Sequence, residues 1–237
     1  MTKFESQRVL VIGGSSGIGL AAAQAFAASG AAVTIASRSQ AKLDAALSAI
    51  GPGARAVKLD TTDADAVQHF FDGHDPWDHV IVSAAQTASG PVRKLPLADA
   101  QAALGSKFWG AYHVARAARI RDGGTLTLVS GYLSVRPSAA SVLQGAINAA
   151  IEALGRGLAL ELAPVRVNTV SPGLTVTPLW DKMSEDDRAT MFANAAARLP
   201  ARRVVAAADV ANAIIYLAST PSATGSTVLL DAGGAIA

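Results

Sequence analysis

Hydrophobic residues along the chain fall into short runs, separated by longer stretches in which they recur every three or four positions. The short runs are VLVI (9–12), AVTIA (32–36), AVKL (56–59), HVIVS (79–83), TLTLVS (125–130), VRVNTV (165–170) and TVLLD (227–231). Runs of this length and composition predict strands. Helical patterns fill the gaps: Ala-rich Ile18 to Ser29, then 40–50 with Leu43, Leu47 and Ile50 on one face, then 97–118, 139–163 and 207–218. Thr62-Asp63-Ala64-Asp65 has the shape of a capping box, with Asp in place of Glu, ahead of Val67, Phe70 and Phe71. Apolar strands alternating with helices predict an α/β fold of Rossmann type, a doubly wound parallel sheet of seven strands with helices on both faces. No internal repeat or linker breaks the alternation, so one domain over 1–237 is expected. Residues 178–203 depart from it, opening a helix at Ser184-Glu185-Asp186-Asp187 and closing with Arg198 to Arg203. So late an insertion reads either as a lid over a ligand crevice or as a fixed surface excursion.

Composition narrows the classes. A chain of 237 residues buries a substantial core, and 51% hydrophobic against 16% charged residues argues against disorder. The net charge is +2 and the 20 Lys and Arg are scattered from Lys3 to Arg203, which leaves no footprint for nucleic acid or a membrane surface. The densest group, Arg116, Arg119 and Arg121, reads as a solvated helix end. The absence of cysteine excludes disulfides, thiolate metal sites and a thiol nucleophile. His69, His74, His79 and His113 have no metal-ligand spacing, so no metal is expected. No apolar run reaches the length of a membrane span. The start MTKFESQRVLVIGG passes from a polar segment into a strand without a signal-peptide core, and a cytoplasmic location is the expectation.

GGSSGIG (13–19) leaves the first strand and opens the first helix. Glycines there allow a sharp turn and close backbone approach, and a helix N-terminus offers unpaired N–H groups to a pyrophosphate. This context points to a dinucleotide held by Gly13, Ser15, Ser16, Gly17, Ile18 and Gly19. At the end of the second strand an NAD site usually carries an acid; here stand Ser37, Arg38 and Ser39. A guanidinium pairs with a 2′-phosphate, so NADP(H) is expected over NAD(H) unless Arg38 is an ordinary loop arginine.

Together these motifs resemble the short-chain dehydrogenase/reductase family over nearly the whole chain. VLVIGGSSGIG is similar to the family's Thr-Gly-x-x-x-Gly-x-Gly turn, with Ile12 in place of the threonine. In LDTTD (59–63), Asp60 would meet the adenine with Thr61 beside it, and VSAA (82–85) stands at the Asn-Asn-Ala-Gly element with Ser83, Ala84 and Ala85. ALELAPVRVNTVSPG (159–173) resembles the family's downstream block, which brings Pro172, Gly173 and Thr175 to the cofactor and Thr177 to the nicotinamide carboxamide. TGSTVLLDAGG (224–234) resembles the last strand. The resemblance implies hydride transfer and a homo-oligomer, tetramer or dimer, built partly on 97–118 and 139–163. Small residues there (Ala146, Ala149, Ala150, Gly155, Gly157) permit close helix packing.

The family's proton-handling positions do not match. Its pattern is a Ser, a Tyr thirteen residues on, and a Lys four after that. Aligning INAAIEAL (147–154) puts Asn148 at the Lys position and Gln144 at the Tyr position; counting back lands on Gly131, with Ser130 one residue short. The asparagine of the preceding helix is Lys107. Amides have no usable pKa, so Gln144 cannot act as a general acid, although Asn148 could still bond ribose hydroxyls. Lys is missing where Asn148 stands and present where an Asn is expected, an exchange that would return an ammonium to the pocket from the opposite helix. Lys107 is then a proton donor, an anchor for an anionic substrate, or a structural or solvent-pointing lysine beside Phe108 and Trp109. Tyr132 is a second candidate acid or a pocket wall, and Ser130 is expected to point away from the cofactor.

Two functions remain open. One is an NADP(H)-dependent oxidoreductase with non-standard proton delivery. Its small substrate, a carbonyl or an activated C=C, would be apolar, as Leu179, Trp180, Met183 and Met191 of the insertion hint. The other is a catalytically silent NADP(H)-binding regulator or assembly subunit. The substrate itself is not legible.

Overall fold

Burial on both faces explains why the strands read as continuous apolar runs. In the computed structural model, which describes residues 3–86 and 88–237, Met1 and Thr2 of the polar start lie outside the described residues. Strands β1 (Arg8–Ile12), β2 (Ala32–Ser37), β3 (Arg55–Lys58), β4 (Trp77–Val82), β5 (Ile120–Val129), β6 (Arg166–Pro172) and β9 (Thr227–Leu230) form one sheet in the order β3-β2-β1-β4-β5-β6-β9. Every neighbouring pair is parallel. Because side chains alternate along a strand, Val9 and Val11 join Val33, Ile35 and Ile81 on one face. Leu10 and Ile12 join Val80, Val82, Leu126 and Leu128 on the other.

Helices α1 (Gly17–Ala28), α2 (Gln40–Ile50) and α8 (Ala207–Ser219) cover the first face through Ala22, Phe26, Leu43 and Ile214. Helices α3 (Ala64–Asp72), α5 (Gly110–Ala117) and α6 (Val142–Glu161) cover the second through Phe71, Val114 and Ile151. Strand order reverses beside β1, with β2 to one side and β4 to the other. In such sheets the ligand crevice opens beyond the carboxyl ends of the strands at that point.

Several boundaries differ from the sequence reading. Asp63, not Thr62, caps α3, its Oδ1 accepting from Ala66 N at 2.9 Å. The 97–118 pattern divides into α4 (Leu97–Leu104), a π-helical turn (Gly105–Trp109) and α5. The 139–163 pattern becomes helical only at Val142. Strand β5 begins at Ile120, so Arg121 lies on a strand 3.8 Å from Asp78 and not at a helix end. A small second sheet, β7 (Thr175–Val176) with β8 (Val205–Ala206), closes the base of 178–203. That segment holds a 3₁₀ turn (Pro178–Trp180) and α7 (Glu185–Arg198), which Ser184 caps by accepting from Asp187 N. No residue of α7 is buried.

Candidate active site

A cavity of about 980 Å³ opens at the carboxyl ends of β1, β2, β4, β5 and β6. The positions expected to hold a cofactor line it: Gly13, Ser15, Ser16, Gly17, Ile18, Ser37, Arg38, Ser39, Asp60, Thr61, Ser83, Ala84, Ala85, Pro172, Gly173, Thr175 and Thr177. Gly13 adopts φ +84°, and a Cβ there would stand 2.5 Å from Ala84 N. Of the turn positions expected to hold a cofactor, Gly19 alone does not line the cavity. It packs where a Cβ would come within 2.2 Å of Gly13 O, so its role is to let α1 approach the turn. Ser16, the N-cap of α1, lines the cavity and makes no side-chain capping bond.

At the β2 end, Ser15 Oγ donates to Ser37 Oγ at 3.0 Å, and Arg38 Nη2 donates to Gln86 Oε1 at 2.9 Å. Ser39 caps α2 and Lys42, one turn into that helix, also lines the cavity. Asp60 Oδ1 accepts from Thr62 N and Oγ1 at 3.0 and 2.8 Å. Burial pushes the Asp60 carboxyl up, but the two Thr62 bonds and the Arg38 charge outweigh it and hold the group below its ordinary value. An open helix N-terminus, a glycine turn that touches its neighbours and two cations at the β2 end fit a phosphorylated dinucleotide.

The opposite end holds the polar residues of α6 and the π turn. Lys107 sits in that turn, buried, and its Nζ donates to Asn148 Oδ1 at 2.6 Å and to Ser130 O at 2.8 Å. The ammonium is therefore inside the cavity wall and not solvent-facing, which settles one alternative left open by the sequence. Burial lowers it to about 8, against the opposing pull of Glu152. Gly131 makes room for this pair, since a Cβ there would stand 2.7 Å from Asn148 Nδ2.

Ser130 lines the cavity, and its Oγ donates to the buried Glu152 Oε1 at 2.8 Å. Tyr132, first residue of a 3₁₀ turn (Tyr132–Ser134), lines the cavity half-buried. Gln144 lines it too, and its buried Oε1 has no hydrogen-bond partner among the described residues. Leu179 and Trp180 of the insertion reach the cavity, Trp180 fixed by its Nε1 donating to Thr175 O at 3.0 Å, whereas Met183 and Met191 are not among its lining residues.

Sequence reasoning missed Lys42 and Glu152. Both had a signal: Lys42 follows Arg38 by one helical turn, and Glu152 continues the four-residue ladder of Gln144 and Asn148.

A family model described as Enoyl-(Acyl carrier protein) reductase matches residues 13–234. Short-chain dehydrogenase/reductase ATR9 of Stachybotrys chlorohalonatus is 30% identical over 253 residues, covering 99% of each chain. The chain belongs to the short-chain dehydrogenase/reductase family. D-erythrulose reductase of Gallus gallus is 30% identical to this short-chain dehydrogenase/reductase over 240 residues, covering 97% of it and 96% of the relative. A solved small-chain dehydrogenase in complex with NADPH is 33% identical, with a TM-score of 0.84 over 98% of this chain and 100% of its own. Among the described residues of this family member, no helix is long and apolar enough to cross a membrane, and no group of three His, Cys, Asp or Glu could hold a metal ion.

Proposed function

We propose that this chain is an NADP(H)-dependent oxidoreductase whose proton donor is Lys107, acting on a small, apolar carbonyl or activated C=C substrate. The observation that carries this reading is the buried ammonium hydrogen-bonded to Asn148 on the cavity wall. NADP(H), when bound, supplies the hydride. The residues of this chain do the rest. Gly13, Gly17 and the open start of α1 hold the pyrophosphate, and Arg38 and Lys42 hold a 2′-phosphate. Thr177, whose side chain a Cβ on Gly17 would meet at 3.3 Å, stands where the nicotinamide carboxamide is held.

At the reacting end Gln144 and Asn148 orient but carry no mobile proton. Lys107 keeps its proton at neutral pH yet lies close enough to the working range to release it to a developing oxyanion or carbanion. Trp180 and the exposed Leu179 flank that end, and the exposed 178–203 segment acts as the lid that would bring them over a bound substrate. Homo-oligomerisation through α4, α5 and α6 fits the exposed Trp109, Tyr112 and Val142.

A second reading, a silent NADP(H)-responsive regulator or assembly subunit, is favoured by one feature. Ser130, one residue short of the usual serine position, has its hydroxyl bonded to the buried Glu152. Single-turnover mixing with 4-deuterated NADPH and a panel of ketones, enones and imines separates the two. Deuterium in any product supports the oxidoreductase; tight NADPH binding without transfer across the panel supports the regulator.

A further inference from the structure

Glu152 is a buried carboxylate that the proposed chemistry does not use. Its Oε1 accepts from three hydroxyls, Ser130 Oγ at 2.8 Å, Ser134 Oγ at 2.7 Å and Ser171 Oγ at 3.0 Å. Three donors are what a buried anion needs in place of water, but they are neutral and do not balance its charge. The buried cation on the same side of the sheet is Lys107, and a short path joins the two. Ser130 donates its hydroxyl to Glu152 and offers its backbone carbonyl to Lys107 Nζ. Asn148, the other acceptor of Lys107, stands one turn above Glu152 on α6.

We propose that Glu152 is a positioning residue for Lys107, the buried counter-charge that keeps its ammonium protonated and, by locking Ser130, fixes the carbonyl to which it is bonded. This rests on the reading of Lys107 as proton donor and deepens it. With Glu152 beneath it, the ammonium and carboxylate sum to zero. The reacting end therefore favours a neutral oxygen acceptor over a carboxylate substrate. Of the other titratable groups, Tyr132 shares the wall beside Ser130, while Arg38, Lys42 and Asp60 line the β2–β3 end of the cavity. His113, on α5, is engaged through Nδ1 with Thr61 O. Glu152 is the one group whose charge pulls the Lys107 ammonium upward against burial.

The test needs no turnover, so its failure is distinct from failure of the enzyme reading. Lysine side chains labelled with ¹³C and ¹⁵N are titrated by NMR, with the Lys107 signal assigned by its loss in Lys107→Met. Wild type is expected to titrate near 8. In Glu152→Gln the midpoint falls by about one pH unit or more, and in Glu152→Asp, which keeps the charge, it returns toward wild type. A Glu152→Gln midpoint equal to that of wild type overturns the proposal. Should Glu152→Gln not fold, the double variant Lys107→Met/Glu152→Gln decides. Recovery of the fold supports charge pairing, because the uncompensated cation has gone. A double variant that also fails assigns Glu152 to serine packing alone and overturns the proposal.

Discussion

An ammonium that leaves water must keep its hydrogen bonds, and Lys107 keeps two, to Ser130 O and Asn148 Oδ1, with a third N–H left for a ligand. On the proposed reading, replacing it by Met removes the proton source without touching the glycine turn or the β2 end. Lys107→Met is expected to lower single-turnover hydride transfer by about 10²-fold or more while NADPH affinity, measured by fluorescence titration, stays nearly intact. Unchanged transfer would exclude Lys107 from the chemistry. The same residue sets a pH dependence. Reduction needs the protonated form, so its rate holds on the acid side of about 8 and declines above it as the ammonium is lost. Oxidation of the product alcohol needs the neutral amine and runs the other way. The two amides were legible from their spacing of four on one helical pattern. The unpartnered Gln144 Oε1 was not, because it depends on what the opposite wall fails to supply.

At the scale of elements, the β2–α2 connection is where the proposed preference for NADP(H) would be decided. It presents Ser37, Arg38 and Lys42 to the cavity and no carboxylate between 37 and 42. Arg38→Leu combined with Lys42→Leu is expected to raise KM for NADPH by at least about tenfold, the loss of one or two charge-assisted bonds, with little change for NADH. Equal losses for both cofactors would place the two cations on the shared pyrophosphate instead. Strands were read well because burial on both faces leaves an unmistakable apolar run. Helix ends were read less well: Gly105–Trp109 switches to a π turn inside a continuous helical pattern, a change that periodicity does not record. The β7–β8 pair, of two residues each, is too short to leave a pattern at all.

For the molecule as a whole, acid sensitivity is expected from a group outside the cavity lining. His79 on β4 is buried against Phe4 and Phe26, with Nδ1 bonded to Thr125 Oγ1 at 2.7 Å and Nε2 to Gln7 Oε1 at 2.8 Å. The second of these distances belongs to a contact that joins the first strand's approach to the sheet centre. Burial pushes the imidazole down to about 4, with Asp78 opposing and Arg166 adding to the shift. The unfolded chain binds a proton near 6.5, whereas the folded chain resists it until about 4. Stability is therefore full above 6.5 and is lost as pH falls through that window, by on the order of 3 kcal/mol. Urea unfolding at pH 7, 5.5 and 4.5 should show the decline, and His79→Gln should flatten it. A decline of equal slope in the variant would assign acid sensitivity to other groups.

What the sequence determined was everything that local pattern and residue type can encode. Apolar periodicity specified a seven-stranded α/β sheet, GGSSGIG pointed to where a dinucleotide would sit, and residue type placed at 144 and 148 two amides that carry no mobile proton. Tertiary structure alone decided which charges meet. Lys107, Ser130, Asn148 and Glu152 come from the π turn, the end of β5 and α6, and their protonation depends on how little water reaches them. Burial is a property of the packed whole, and no single segment of the chain carries it.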